Sequence, residues 1–200
     1  MWDCYTDSMK AKKSTKLPWA VLTFGSAVGA GASFIQTVER ISYADNPVAS
    51  LACDINSVFS CSSVFDGWQS SVFGFSNAIM CLLFFGVMFG VGLSGLFGSL
   101  LAKGLRLTMH FFSVFFLLFG AWYLQQSTFV IGALCIFCMF CYAGVIAINW
   151  AWLRINATDL PFVSENGKKL LQRSFASGAD TFFWIMWGLV IAAMFLVAFW

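Results

Sequence analysis

Charge is what this sequence has least of: 11 Lys and Arg and 9 Asp and Glu in 200 residues. That is 10% charged, where soluble domains carry roughly a quarter. With 60% of residues hydrophobic, too little polar surface remains to cover a water-soluble globule. The few basic residues form no cluster joined to a nucleic-acid-binding motif, so nucleic acid is excluded as a partner. There is one histidine, His110, at the start of the third apolar stretch. It is too far from the cysteines to serve as their base and reads as a packing or interfacial residue. No ionisable side chain occupies the middle of an apolar stretch, which speaks against coupled transport. The chain also lacks an internal repeat, a low-complexity segment and any A-x-A cleavage site after the first apolar stretch, which is therefore a span and not a signal peptide. Ser50-Leu51-Ala52-Cys53 faintly resembles a lipoprotein cleavage site, but the polar residues 39–46 separate it from the apolar core.

What is present is apolar and aromatic. The 24 Phe and 9 Trp suit a lipid-facing surface with interfacial aromatics. Five apolar stretches, 17–38, 73–101, 107–124, 129–153 and 182–200, have or approach the about 20 residues that a membrane-crossing helix needs. Backbone polar groups must be satisfied inside lipid, so these stretches are helices and the fold class is an all-α membrane protein. Gly25 with Gly29, and Gly86 with Gly90, are four apart and predict close helix packing. The segments are then a tail 1–16, a loop 39–72, a connection 154–181 and a fifth span 182–200. The loop mixes Ser, Asp and Asn with aromatic residues and is expected to fold back on the membrane.

Basic residues set the orientation. Lys10, Lys12, Lys13 and Lys16 lie before the first span, Lys103 and Arg106 in the second connection, and Arg154, Lys168, Lys169 and Arg173 in the fourth. Of the other connections only the first holds one, Arg40. The N-terminus is therefore expected in the cytoplasm, with the loop and the third connection (about 125–128) outside, in a multi-pass cell (inner) membrane. The sequon Asn156-Ala157-Thr158 then falls on the cytoplasmic side, where it is not glycosylated.

That topology sorts the seven cysteines. Cys53 and Cys61 lie in the external loop, where disulfides persist. Cys135-Ile136-Phe137-Cys138 is a C-x-x-C near the outer end of the fourth span. Helix positions i and i+3 share a face with Cβ atoms roughly 5–6 Å apart, and a disulfide needs about 4 Å. A modest adjustment therefore joins them, giving a strained and exchangeable bond. A helix start also favours a thiolate. Three other readings stand beside this one: two small core residues, a structural Cys53–Cys61 disulfide, and a four-cysteine zinc site. The eight-residue spacing of Cys53 and Cys61 is wider than structural zinc sites favour, so no metal is expected. Cys4, Cys81 and Cys141 read as inert thiols.

The segment Cys53-Asp54-Ile55-Asn56-Ser57-Val58-Phe59-Ser60-Cys61-Ser62, followed 74 residues after Cys61 by Cys135, resembles the vitamin K epoxide reductase family. Gly74-Phe75-Ser76-Asn77 is similar to the family's Gly/Asn signature, and Tyr142 to a tyrosine of its quinone pocket; the likeness covers about 17–152. The resemblance implies a four-helix bundle around a membrane quinone (menaquinone, ubiquinone or phylloquinone type), capped by the loop, in a catalytic domain 17–153. It implies that Cys138 faces the quinone and that Cys135 is its disulfide partner. Cys61 would relay to Cys135, and Cys53 would exchange with an external thioredoxin-fold disulfide carrier. Asn77 and Tyr142 would hydrogen-bond the quinone oxygens, stabilising charge there as oxyanion donors do. Phe65 and Trp68 would line and cover the pocket. One departure is the loop serine of many members: Asp66 and Gly67 stand in its neighbourhood, with Ser62 and Ser63 as substitutes. The fifth span matches bacterial-type members, in which it leads to an external thioredoxin-like domain; here the carrier is either fused after residue 200 or separate.

The expected function is thus thiol–disulfide exchange that reoxidises the external carrier and reduces the quinone, supporting disulfide formation in exported proteins. Reduction of vitamin K epoxide is the alternative within the same class. A non-enzymatic membrane scaffold or carrier with structural cysteines is the alternative from another.

Overall fold

The computed structural model describes residues 16–48, 51–161 and 163–199. Cys4, Lys10, Lys12, Lys13, Ser50 and Trp200 lie outside the described residues. The chain is an all-α membrane protein; among the described residues five helices are long and apolar enough to cross a bilayer.

Helix α1, Lys16–Asp45, is the centre of the bundle. Its buried Trp19, Leu22, Ser26, Gly29, Ser33 and Gln36 recur every three or four residues and so form one face. Three of these six, Ser26, Gly29 and Ser33, are small, which brings two partners in close. They are the second spanning helix, α3 (Asn77–Leu96), and the fourth, α5 (Ile136–Asn156). A Cβ on Gly29 would stand 2.3 Å from the Phe85 ring, and one on Gly144 only 2.7 Å from the Gly25 carbonyl oxygen. Trp19 meets Trp152 edge-on at 5.9 Å, and a Cβ on Gly95 would strike the Trp19 ring at 2.1 Å. The spacing rule therefore holds for Gly25 and Gly29 but not for Gly86 and Gly90, which face outward with nothing near them. Gly92 and Gly95 pack instead, because they fall on the face of α3 that carries Phe85 and Met88.

The short helix α2, Cys61–Asp66, lies in the loop between α1 and α3. The third spanning helix, α4 (Lys103–Gln126), packs on α5 and continues into a wide turn, Ser127–Ile131, that ends at Gly132. Gly132 has φ +75°, a conformation that suits glycine and stops the helix. The apolar residues 129–131 therefore extend the third span, and the fourth begins only at Ile136. A connecting helix α6, Glu165–Ser177, leads to the fifth spanning helix α7, Ala179–Phe199.

Helix α7 exposes most of its length, as a lipid-facing helix does, and is fixed by one polar edge. Arg154 on α5 donates to the buried Asp180 carboxylate through Nε at 2.7 Å and Nη2 at 2.8 Å. Trp150 Nε1 donates to Thr181 Oγ1 at 3.0 Å, and Trp187 Nε1 to the Tyr142 hydroxyl at 2.9 Å. At the end of the bundle away from the cysteines, Arg106 pairs with Asp159, and Asn156 is fully buried against the Arg106 carbonyl.

The close α1–α5 contact makes a specific demand. Gly144→Val should cost about 1–3 kcal/mol, the usual range for overpacking, and lower the thermal midpoint of the detergent-solubilised protein. Gly90→Ala adds a methyl in open space and should leave that midpoint unchanged.

Candidate active site

The loop is held against the membrane motif by its own backbone. Leu134 N–H donates to the Val58 carbonyl at 2.7 Å and Ser60 N–H to the Leu134 carbonyl at 3.1 Å, a single parallel bridge between Phe59 and Leu134. Polar residues of the loop motif shape this strip. Asn56 Oδ1 accepts from Val58 and Phe59 N–H, a local turn. Ser60 caps α2 by accepting from Ser63 N–H, and Asp54 Oδ1 accepts from Ser62 N–H. From α1, Arg40 donates to the Phe65 carbonyl and lies 5.2 Å from the centre of its ring, while Tyr43 donates to Asp66 Oδ1 at 2.8 Å. The one basic residue of the loop side is therefore a clamp on the loop.

The result brings the four cysteines together. Cys53 and Cys61 are disulfide-bonded and have no exposed surface. Cys135 and Cys138 are free thiols. Cys135 Sγ lies 3.2 Å from Cys61 Sγ. Cys135 stands just before α5, in the connection, and Cys138 occupies the first turn of the helix. The Cys135 thiol is held below the ordinary thiol range, first by its hydrogen bond with Cys138 and further by the Phe137 and Cys138 backbone N–H groups. Burial works in the opposite sense.

Beyond Cys138 a mostly apolar cavity opens inside the bundle, roofed by Phe65 and lined by Gln36, Asn77, Phe116, Tyr123 and Tyr142, among others. Cys138 lines it and Cys135 does not. One thiol therefore faces the cavity while its neighbour faces the loop. Asn77 Nδ2 donates to the Gln69 carbonyl at 2.7 Å, and Asn77 Oδ1 is buried without a partner. Indole N–H is donor-only, so the Tyr142 hydroxyl accepts from Trp187 and keeps its own proton for another acceptor. These groups fit a flat apolar molecule carrying two oxygens: the second Asn77 amide hydrogen and the Tyr142 O–H would suit carbonyls, and the orphan Asn77 Oδ1 would suit a hydroxyl. A quinone and its hydroquinone are such molecules.

Of the residues singled out in the sequence, the four cysteines, Asn77, Tyr142 and Phe65 meet at this site. Trp68 does not: it is 67% exposed and tilts against Trp122 at 6.2 Å, outside the cavity. Ser62 and Ser63 bond to Ser60 within the loop, whereas Ser70 lines the cavity and donates to the Phe65 carbonyl at 3.0 Å. Cys141 Sγ is 3.2 Å from Ser33 Oγ, deep in the same wall. Two residues escaped the sequence reading. Gln36 places its amide between Cys138 Sγ, at 3.1 Å, and Cys135 Sγ, at 3.7 Å. Trp187 reaches Tyr142 from α7, the fifth spanning helix. A buried amide in an apolar span was the only available signal for Gln36; nothing marked Trp187.

Residues 20–153 match the model of the vitamin K epoxide reductase family, which takes in the four cysteines, Asn77 and Tyr142 and stops before α7. No curated protein and no solved structure matches the chain.

The Arg40 clamp generates a prediction. Arg40→Met keeps an apolar stem but loses the donor and the cation. An external dithiol should then reduce Cys53–Cys61 several-fold faster, as read by mass-spectrometric counting of alkylated loop thiols over time. An unchanged rate would show that the clamp does not limit access.

Proposed function

The chain belongs to the vitamin K epoxide reductase family, and on that premise we propose that it oxidises an external thioredoxin-fold dithiol carrier at the expense of a membrane quinone. The observation that supports this most directly is the 3.2 Å approach of Cys61 Sγ to Cys135 Sγ, a separation short enough for exchange between the loop disulfide and the cavity-side pair. The catalytic unit is 17–153, with the loop end outside, the N-terminus in the cytoplasm and the protein in the cell (inner) membrane.

The electrons move in balanced steps. The carrier dithiol is oxidised as it reduces Cys53–Cys61 to two thiols. With Cys135–Cys138 closed, the Cys61 thiolate attacks Cys135 Sγ, forming a Cys61–Cys135 bond and releasing the Cys138 thiolate. The Cys53 thiolate then attacks Cys61 Sγ, restoring the loop disulfide and releasing the Cys135 thiolate. A low thiol pKa makes a good leaving group, and Cys135 has one. The membrane pair is then a dithiol and the loop a disulfide, the arrangement of bonds in this structure. A bound quinone supplies a two-electron, two-proton acceptor that returns the pair to its disulfide. Asn77 and Tyr142 orient it and hold its oxygens, Phe65 shuts the cavity against water, and Cys138 faces it.

The test is reconstitution in quinone-loaded liposomes with a reduced thioredoxin-fold carrier, followed by quinone absorbance. Ser replacement of Cys135 or Cys138 should lower the rate to the uncatalysed background. In Cys138→Ser, acid trapping and mass spectrometry should find a Cys61–Cys135 bond. Quinone reduction that survives both replacements would sink the reading, and turnover on vitamin K epoxide with none on quinone would reassign the substrate.

A further inference from the structure

We propose that Gln36 is a positioning residue whose amide N–H donates to the Cys138 sulfur, stabilises the negative charge left there when Cys138 is released from a disulfide, and biases the Cys135–Cys138 pair toward its reduced form. The inference rests on the reading of that pair as redox-active.

Gln36 lies on the packed face of α1, buried, with its side chain lining the cavity. Its Nε2 is 3.1 Å from Cys138 Sγ and 3.7 Å from Cys135 Sγ. An amide nitrogen carries two hydrogens and accepts none, so it can serve both sulfurs only as a donor. Among the described residues no Lys, Arg or His lines this cavity; Arg40, four residues further along α1, is spent on the Phe65 carbonyl. A thiolate at Cys138 therefore has no cation to pair with. Its stabilisation falls to the first turn of α5, where Cys138 sits, and to neutral donors, of which the Gln36 amide, from the helix opposite, is within hydrogen-bond distance. Hydrogen bonds to charged acceptors are among the strong ones, and burial in a water-poor cavity strengthens them further. Donation to sulfur has no counterpart once both sulfurs are bonded to each other, because a disulfide carries no charge. The amide thus favours the reduced pair and raises its potential. It also makes Cys138 the better leaving group when Cys61 opens the bond.

The experiment uses the full chain in liposomes with Cys53→Ser and Cys61→Ser in place, so that one redox pair remains. Two readouts are taken with and without Gln36→Leu: equilibrium of the Cys135–Cys138 pair with a dithiothreitol redox buffer, and the alkylation rate of Cys138 at fixed pH. The expected result is an equilibrium shifted about tenfold toward the disulfide, which is ~30 mV for a two-electron couple, with several-fold slower alkylation of Cys138. Unchanged values in the folded variant would overturn the proposal. So would a shift toward the dithiol, because it would mean that the amide oxygen faces the sulfur and stabilises the protonated thiol. Gln36→Met, unbranched and similar in length, replaces the leucine variant if that does not accumulate. Quinone turnover of the unsubstituted protein is measured alongside: its absence would sink the proposed function and leave the two thiol readouts to judge Gln36.

Discussion

A single backbone bridge, Phe59 to Leu134, governs the chemistry available to this protein. It fixes the residue before Cys135 to the strip that leads into Cys61, and the two sulfurs come within 3.2 Å as a consequence. Other contacts at the loop end of the bundle support that bridge: Asn56 turns the strip, Ser60 and Asp54 start α2, and Arg40 and Tyr43 tie the far end of α2 to α1. The rest of the bundle has a different task. Gly25 and Gly29 on α1 and Gly144 on α5 let these two helices approach closely, and the cavity is walled by the large rings of Phe116 and Tyr123 from α4 and Tyr142 from α5.

The cavity has an asymmetric chemistry. Its walls are apolar, and its few polar atoms sit beside Cys138, near Asn77 and at Tyr142. Of the C-x-x-C pair only Cys138 lines the cavity, because Cys135 is turned to the loop, and Cys81 and Cys141 add two further thiols to the wall. Seen from Cys61, Cys135 comes first and Cys138 second, and the order comes from helix geometry: Cys135 precedes the first turn of α5 and Cys138 completes it.

Much of this was legible in the sequence, for definite reasons. Apolar runs of helix length can hardly be anything else in a chain this poor in charge, and the two cysteine pairs are marked by spacing. What the sequence concealed depends on which face of a helix meets a neighbour. Gly86 and Gly90 carry the same four-residue spacing as Gly25 and Gly29, yet only the latter pack, and no local pattern separates them. The 129–131 run reads as the start of a span because it is apolar, but Gly132 assigns it to the preceding helix. Trp68 looks like a pocket residue by position in the loop, while the turn after α2 directs it outward. Gln36 and Trp187 act across 102 and 45 residues of chain, distances at which a single sequence carries no signal.

Cys53 and Cys61 are each 0% exposed. A disulfide with no surface cannot be struck by a thiol that merely collides with the protein, since exchange requires in-line contact with sulfur. Under the proposed exchange, electrons would enter only when the loop yields, and the frequency of that opening, rather than the intrinsic reactivity of the bond, would select the donor. A partner that grips the loop would lower the cost of opening it; a small free thiol would not. Burial would thus act as insulation, keeping the oxidising power proposed for the membrane pair from leaking into the pool of soluble thiols.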